Sequence, residues 1–95
     1  MAAYIVFTKE REHDAAAMAE YAAKASASTA GHPIKPLAFY GAIETLEGPE
    51  AAGAVIVEFP TMEDARAWYN SPAYQEARAH RFQGADYRVF LTQGV

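Results

Sequence analysis

The sequence predicts an α+β domain of order β-α-β-β-α-β, and three observations carry that prediction. Stretches rich in β-branched and aromatic residues stand near the start, past the middle and at the end of the chain, at Tyr4 to Phe7, Val55 to Phe59 and Tyr87 to Leu91. An alanine-dominated segment with apolar residues three and four apart separates the first from a second extended region. A second helical pattern around Trp68 precedes the last strand. At 95 residues the chain has room for one domain and one core.

The first strand runs from Ala2 to Lys9, apolar on both parities, so burial of both its faces is expected. Glu10 to Asp14 reads as a polar turn with Asp14 as helix N-cap. The helix from Ala15 to Thr29 carries Met18, Tyr21, Ala22, Ala25 and Thr29 on one stripe, with Glu20 and Lys24 paired outside it. Gly31 stops it and Pro33 prevents its continuation. A second extended region begins at Ile34 or Leu37 and runs to Leu46, with Pro36 marking an edge or bulge.

After the turn Glu47-Gly48-Pro49-Glu50, Ala54 to Phe59 forms the third strand and Pro60 closes it. Thr61 caps a helical piece from Met62 to Tyr69. Ser71 and Pro72, suited to N-cap and N1, restart the helix from Pro72 to Phe82. Gly84 releases the chain into a last strand, Tyr87 to Thr92.

This order is the ferredoxin-like, split βαβ arrangement: a four-stranded antiparallel sheet with helices on one face. Tyr4 or Ile5, Ile56 and Phe90 stand on parities that cannot all point at the helices. The helix-free face of a second copy is the economical cover, giving a homodimer with a cavity between the two sheets.

A formal charge of -4, from 12 acidic against 8 basic residues, argues against nucleic acid and against an anionic membrane surface. No cysteine is present, so disulfides and thiolate metal sites are excluded. No stretch is long enough to span a membrane, and the short apolar start lacks a basic leader, so a cytoplasmic location is expected. His13, His32 and His80 are scattered, and neither a metal site nor a cofactor is expected.

Glu58 and Arg88 are the polar intruders of apolar strands. One reading makes them catalytic, general base and anion holder facing the cavity. The other makes them a structural or dimer-fixing ion pair. Tyr74, Arg78 and Arg81 share a helical stripe that suits a small carboxylate or phosphate, or else a solvated edge. Tyr69 offers a hydroxyl to a pocket, Tyr40 a wall and His32 a place at the mouth, completing the ligand-binding candidates.

The run Val57-Glu58-Phe59-Pro60-Thr61-Met62-Glu63, followed by Ala65-Arg66-Ala67-Trp68-Tyr69-Asn70-Ser71-Pro72-Ala73-Tyr74-Gln75, resembles the signature of the domain of unknown function 1330 (DUF1330) family. Ile43-Glu44, Leu46-Glu47-Gly48 and the Asp86-x-Arg88 ending fit it too. The resemblance implies a ferredoxin-like fold in the dimeric α/β-barrel superfamily, with no settled activity. Phe39 and Tyr40 stand where the family has arginine and glycine, which implies a bulkier, less cationic pocket. Two functions fit: a small cofactor-independent isomerase, lyase or monooxygenase acting on a small organic acid, or a non-catalytic ligand-binding or dimerisation module.

Overall fold

In strand β1, Ala3–Glu12, every second side chain from Ala3 to Phe7 is buried and its neighbours are only half so. The same alternation runs through β3, Gly53–Phe59, where Val55, Val57 and Phe59 point inward. These strands belong to a four-stranded antiparallel sheet of order β2-β3-β1-β4, with β2 at Lys35–Phe39 and β4 at Ala85–Gln93. The computed structural model describes residues 1–95. Three helices, α1 (Ala15–Ala27), α2 (Met62–Tyr69) and α3 (Pro72–Gly84), lie on the inward face. The architecture is the expected ferredoxin-like one, with the second helix in two pieces.

Trp68 of α2 is the hub of the core. It is 4% exposed and its ring lies 4.2 Å from Tyr74, 5.7 Å from Phe59 and 6.4 Å from Phe7. Its indole N–H donates to Ser28 Oγ at 3.2 Å, and that hydroxyl donates to the Ala25 carbonyl, so no polar atom of the pair is stranded. Removing so large a buried ring costs about 3–5 kcal/mol in ordinary cores.

The caps stand where the sequence puts them. Asp14 accepts from Ala16 and Ala17 N–H, Thr61 from Asp64 N–H and Ser71 from Tyr74 N–H, each worth about 1 kcal/mol. Pro72 follows Ser71 at the head of α3, and Asn70 closes α2.

The larger differences from the expected boundaries have physical causes. β1 continues through the presumed turn to Glu12, because β4 extends back to Ala85 and keeps it paired, across a register shift between Lys9 and Arg11. α1 stops at Ala27, two residues early, as Ser28 and Thr29 hydroxyls bond back to the Ala25 and Ser26 carbonyls. β2 ends at Phe39 and not at Leu46, because Tyr40 turns into the left-handed region at φ 51° and β3 begins only at Gly53, leaving residues 41–46 no partner. α3 runs on to Gly84, which does not release the chain but joins helix to strand with no loop between.

Gly84 has a packing reason. A Cβ there would stand 2.8 Å from Cγ and Sδ of Met18 and 3.1 Å from the Met18 nitrogen, where α1 and α3 meet. The Gly84 carbonyl also accepts from His13 N–H at 2.7 Å and Asp14 N–H at 3.1 Å, holding the start of α1. Gly84→Ala gains some helix propensity, but overpacking costs about 1–3 kcal/mol. We expect a melting temperature lower by several degrees in a thermal scan, at roughly 4–8 °C per kcal/mol for a domain of this size.

Candidate functional site

α1 packs chiefly on α3, and the side it turns toward β2 and β3 carries small residues: Ala15, Ala19, Ala22, Ala25 and Ser26. Alanine cannot fill the space that a leucine or isoleucine would occupy over the sheet. A cavity of about 610 Å³ results, floored by Phe7, Val55 and Val57 and rimmed by Ile34, Pro36, Phe39 and Tyr40. Its walls are mostly apolar, and Met18, Tyr21 and Trp68 also reach it. The large cavity within one chain therefore lies between sheet and helices, a place distinct from the space between two subunits' sheets that the sequence suggested.

One end of it is polar. Lys9 and Glu12, joined as an ion pair, line it beside Tyr40. Tyr40 hydrogen-bonds hydroxyl to hydroxyl with Tyr87, and its backbone N–H donates to the Ala54 carbonyl at 2.9 Å. Together these hold a non-glycine residue in a left-handed conformation that otherwise costs on the order of 1–2 kcal/mol. Gly53 makes room for the ring, since a Cβ there would stand 3.0 Å from Tyr40 Cδ1.

Behind the wall sits Arg81. It is 3% exposed, belongs to none of the four ion pairs and leaves its Nε without a hydrogen-bond partner. Its guanidinium carbon lies 5.1 Å from the Tyr87 ring, 5.2 Å from Phe82 and 5.9 Å from both Phe7 and Tyr21. Burying a cation costs several kcal/mol, and a ring face in this range returns about 0.5–2 kcal/mol. Four rings soften the penalty without supplying a counter-charge. Arg81 thus places a positive charge behind the part of the wall formed by Phe7 and Tyr21.

The phenols beside Arg81 are unusual as well. Tyr21 and Tyr74 share a hydrogen bond of 2.8 Å, hydroxyl to hydroxyl, with both residues buried. Burial, and then the neighbouring Tyr74, raise the Tyr21 phenol far above the ordinary range. Burial raises Tyr74 too, with its bond to Tyr21 and the Arg81 charge opposing. Tyr87 is raised by burial and by its bond to Tyr40. At neutral pH all three are proton donors, not bases.

The structure brings only some of the residues singled out by sequence together. Tyr40 lines the polar end of the cavity, while Tyr74 and Arg81 stand behind its wall against Tyr21. Tyr69 and Arg78 meet at the α2–α3 junction, where Arg78 donates to the Tyr69 hydroxyl at 3.4 Å and stacks 5.4 Å from its ring, and the Tyr69 ring lies 5.2 Å from Tyr74. Tyr69 there lines a small cleft of about 170 Å³ with Asn70, Leu91 and others. His32, in the turn after α1, lines neither. Glu58 and Arg88 lie on the open face, opposite Tyr4 and Thr8 of β1, and do not meet. No three His, Asp or Glu side chains converge as a metal-binding group.

Sequence reading missed Tyr21, Tyr87, Lys9 and Glu12 as site residues. The available signal was chemical: a tyrosine at the edge of the core needs a partner for its hydroxyl, and four tyrosines pair here.

The fold is shared with solved structures. A protein of unknown function from Rhodopseudomonas palustris is 22% identical with a TM-score of 0.72, over 99% of this chain and 82% of that one. A dimeric ferredoxin-like protein of unknown function from Bacteroides fragilis is 14% identical with a TM-score of 0.67, over 98% and 96%. SnoaB, a cofactor-independent oxygenase from Streptomyces nogalater, is 12% identical with a TM-score of 0.63, over 99% and 92%. At these identities the likeness is one of fold. No curated protein matches the sequence. The model of the DUF1330 family, a domain of unknown function, matches residues 2–95, and the chain belongs to that family.

The raised phenols carry a pH signature. A tyrosine whose folded pKa lies above its unfolded value contributes stability that is complete below about pH 10 and is lost as the pH climbs above it, because the unfolded chain sheds that proton first. In an alkaline titration followed by phenolate absorbance, Tyr21, Tyr74 and Tyr87 should ionise only as the protein unfolds. Tyr87→Phe should shrink that delayed fraction by one residue.

Proposed function

We propose that this DUF1330 domain takes a small, largely apolar organic acid into the cavity between α1 and the sheet and acts on it without a cofactor. The observation that carries this reading is Arg81, a buried cation with no acidic partner behind the wall of the largest cavity. An anionic group at that wall is the missing counter-charge, and the alanine-lined remainder suits an apolar body.

The chemistry follows from the same residues. Arg81 favours negative charge, whether a carboxylate already present or an enolate forming during proton transfer. Tyr21 and Tyr40, which line the cavity, donate hydrogen bonds to oxygen while accepting from Tyr74 and Tyr87 behind them. Tyr40 and Phe39 hold the rim and limit water. The reaction class is that of a small isomerase, lyase or monooxygenase. SnoaB, of the same fold, is described as a cofactor-independent oxygenase, which supports the last of these.

We further propose that the helix-free sheet face is covered by a second copy of the chain. Tyr4, Val6 and Ile56 are only half-buried there, and Phe90 is 49% exposed. The Bacteroides fragilis protein of the same fold is described as dimeric.

Calorimetry with 1-naphthoate and its uncharged carboxamide tests the acid-binding reading. The acid should bind about tenfold tighter or better, roughly 1.4 kcal/mol. Arg81→Met should erase that preference while leaving the melting temperature unchanged or raised, because it removes an uncompensated buried charge. Equal binding of acid and amide, or none of either, overturns the reading.

A further inference from the structure

We infer that Glu58 and Arg88 form two symmetric ion pairs between subunits and set the angle at which two sheets stack. The inference rests on the reading that a second copy covers the open face.

The ladder register fixes where the two charges stand. Glu58 lies opposite Tyr4 and Arg88 opposite Thr8, on strands flanking β1 on its two sides. Tyr4 and Thr8 share the outward parity, so both charged residues belong to the open face. Four residues along a strand span about 13 Å, and two strand spacings about 10 Å, so the diagonal is roughly 16 Å. No side chains bridge that distance within one subunit. Neither Glu58 nor Arg88 belongs to any ion pair, and neither does Lys35, which stands across from Glu58.

The midpoint of the diagonal is Val6. In the register Val6 pairs with Ile56 on one side and Phe90 on the other, so an apolar bar crosses the centre of the face between two opposite charges. A two-fold axis lying between stacked faces, over Val6 and at right angles to the diagonal, carries each Glu58 onto the Arg88 of the other copy. One rotation closes the apolar bar on itself and neutralises both corners. An axis along the diagonal would instead set Glu58 on Glu58 and Arg88 on Arg88. Like charges brought together exclude that stacking, so the charges act on orientation more than on affinity.

Charge reversal tests this by sedimentation equilibrium, with circular dichroism confirming the fold. Glu58→Arg and Arg88→Glu should each weaken the dimer by about tenfold or more, as expected for loss of interfacial charge pairs. The double reversal should return it close to wild-type strength. Val6→Asp, on the axis, should dissociate it. A wild-type monomer, or a dimer indifferent to Val6→Asp, overturns both the covered face and the ion pairs. A dimer lost in Val6→Asp yet untouched by the single reversals, or not restored by the double, overturns the ion pairs alone.

Discussion

The period of two along β1 organises this molecule. Ala3, Ile5 and Phe7 point toward the helices, while Tyr4, Val6 and Thr8 point away, and pairing on both sides transmits that division to β3 and β4. A slip of one residue would exchange the two sets entirely. The inward set meets Trp68, Tyr74 and Tyr21 and becomes the core. The outward set has no helix over it. One strand thus dictates both a packed face, on which stability depends, and an apolar face that no helix covers.

On the packed side, the space under the helices is not filled completely. A core of this size gains most from large aliphatic groups under its helices, yet α1 turns alanines toward β2 and β3 and leaves space. The aromatic residues compensate around it: Trp68, Tyr74, Phe59 and Phe7 stack edge and face within 4.2 to 6.5 Å. Arg81 is a second concession. A cation buried among four ring faces with no acidic partner is weak as a structural device. The hydroxyl pairs Tyr21–Tyr74 and Tyr40–Tyr87 surround that charge with neutral donors.

Much of the fold is legible in the sequence. Asp14, Thr61 and Ser71 announced their helices because an N-cap acts within three residues, a range that sequence reports directly. The Asn70–Ser71–Pro72 break was legible for the same reason. The failures sit where a partner distant in sequence decides. β1 outruns its polar turn because β4 reaches back to pair with it, and β2 ends early because β3 starts late. Gly84 reads locally as a chain release, and only Met18, 66 positions away along the chain, shows it to be a contact.

The sequence by itself determined the order of elements, the amphipathic division of each strand, the charges out of place at Glu58 and Arg88, and the family to which the chain belongs. Those properties follow from local propensity and from periodicity, which need no knowledge of neighbours. Tertiary structure alone decided which residues share a site. Tyr40, Tyr74 and Arg81 meet with Tyr21 and Tyr87, from other elements, in and behind one wall of a cavity, while Glu58 and Arg88, alike in pattern, stand at opposite corners of a sheet. Register and helix packing set those distances. They are properties of paired backbones, and no single segment carries them.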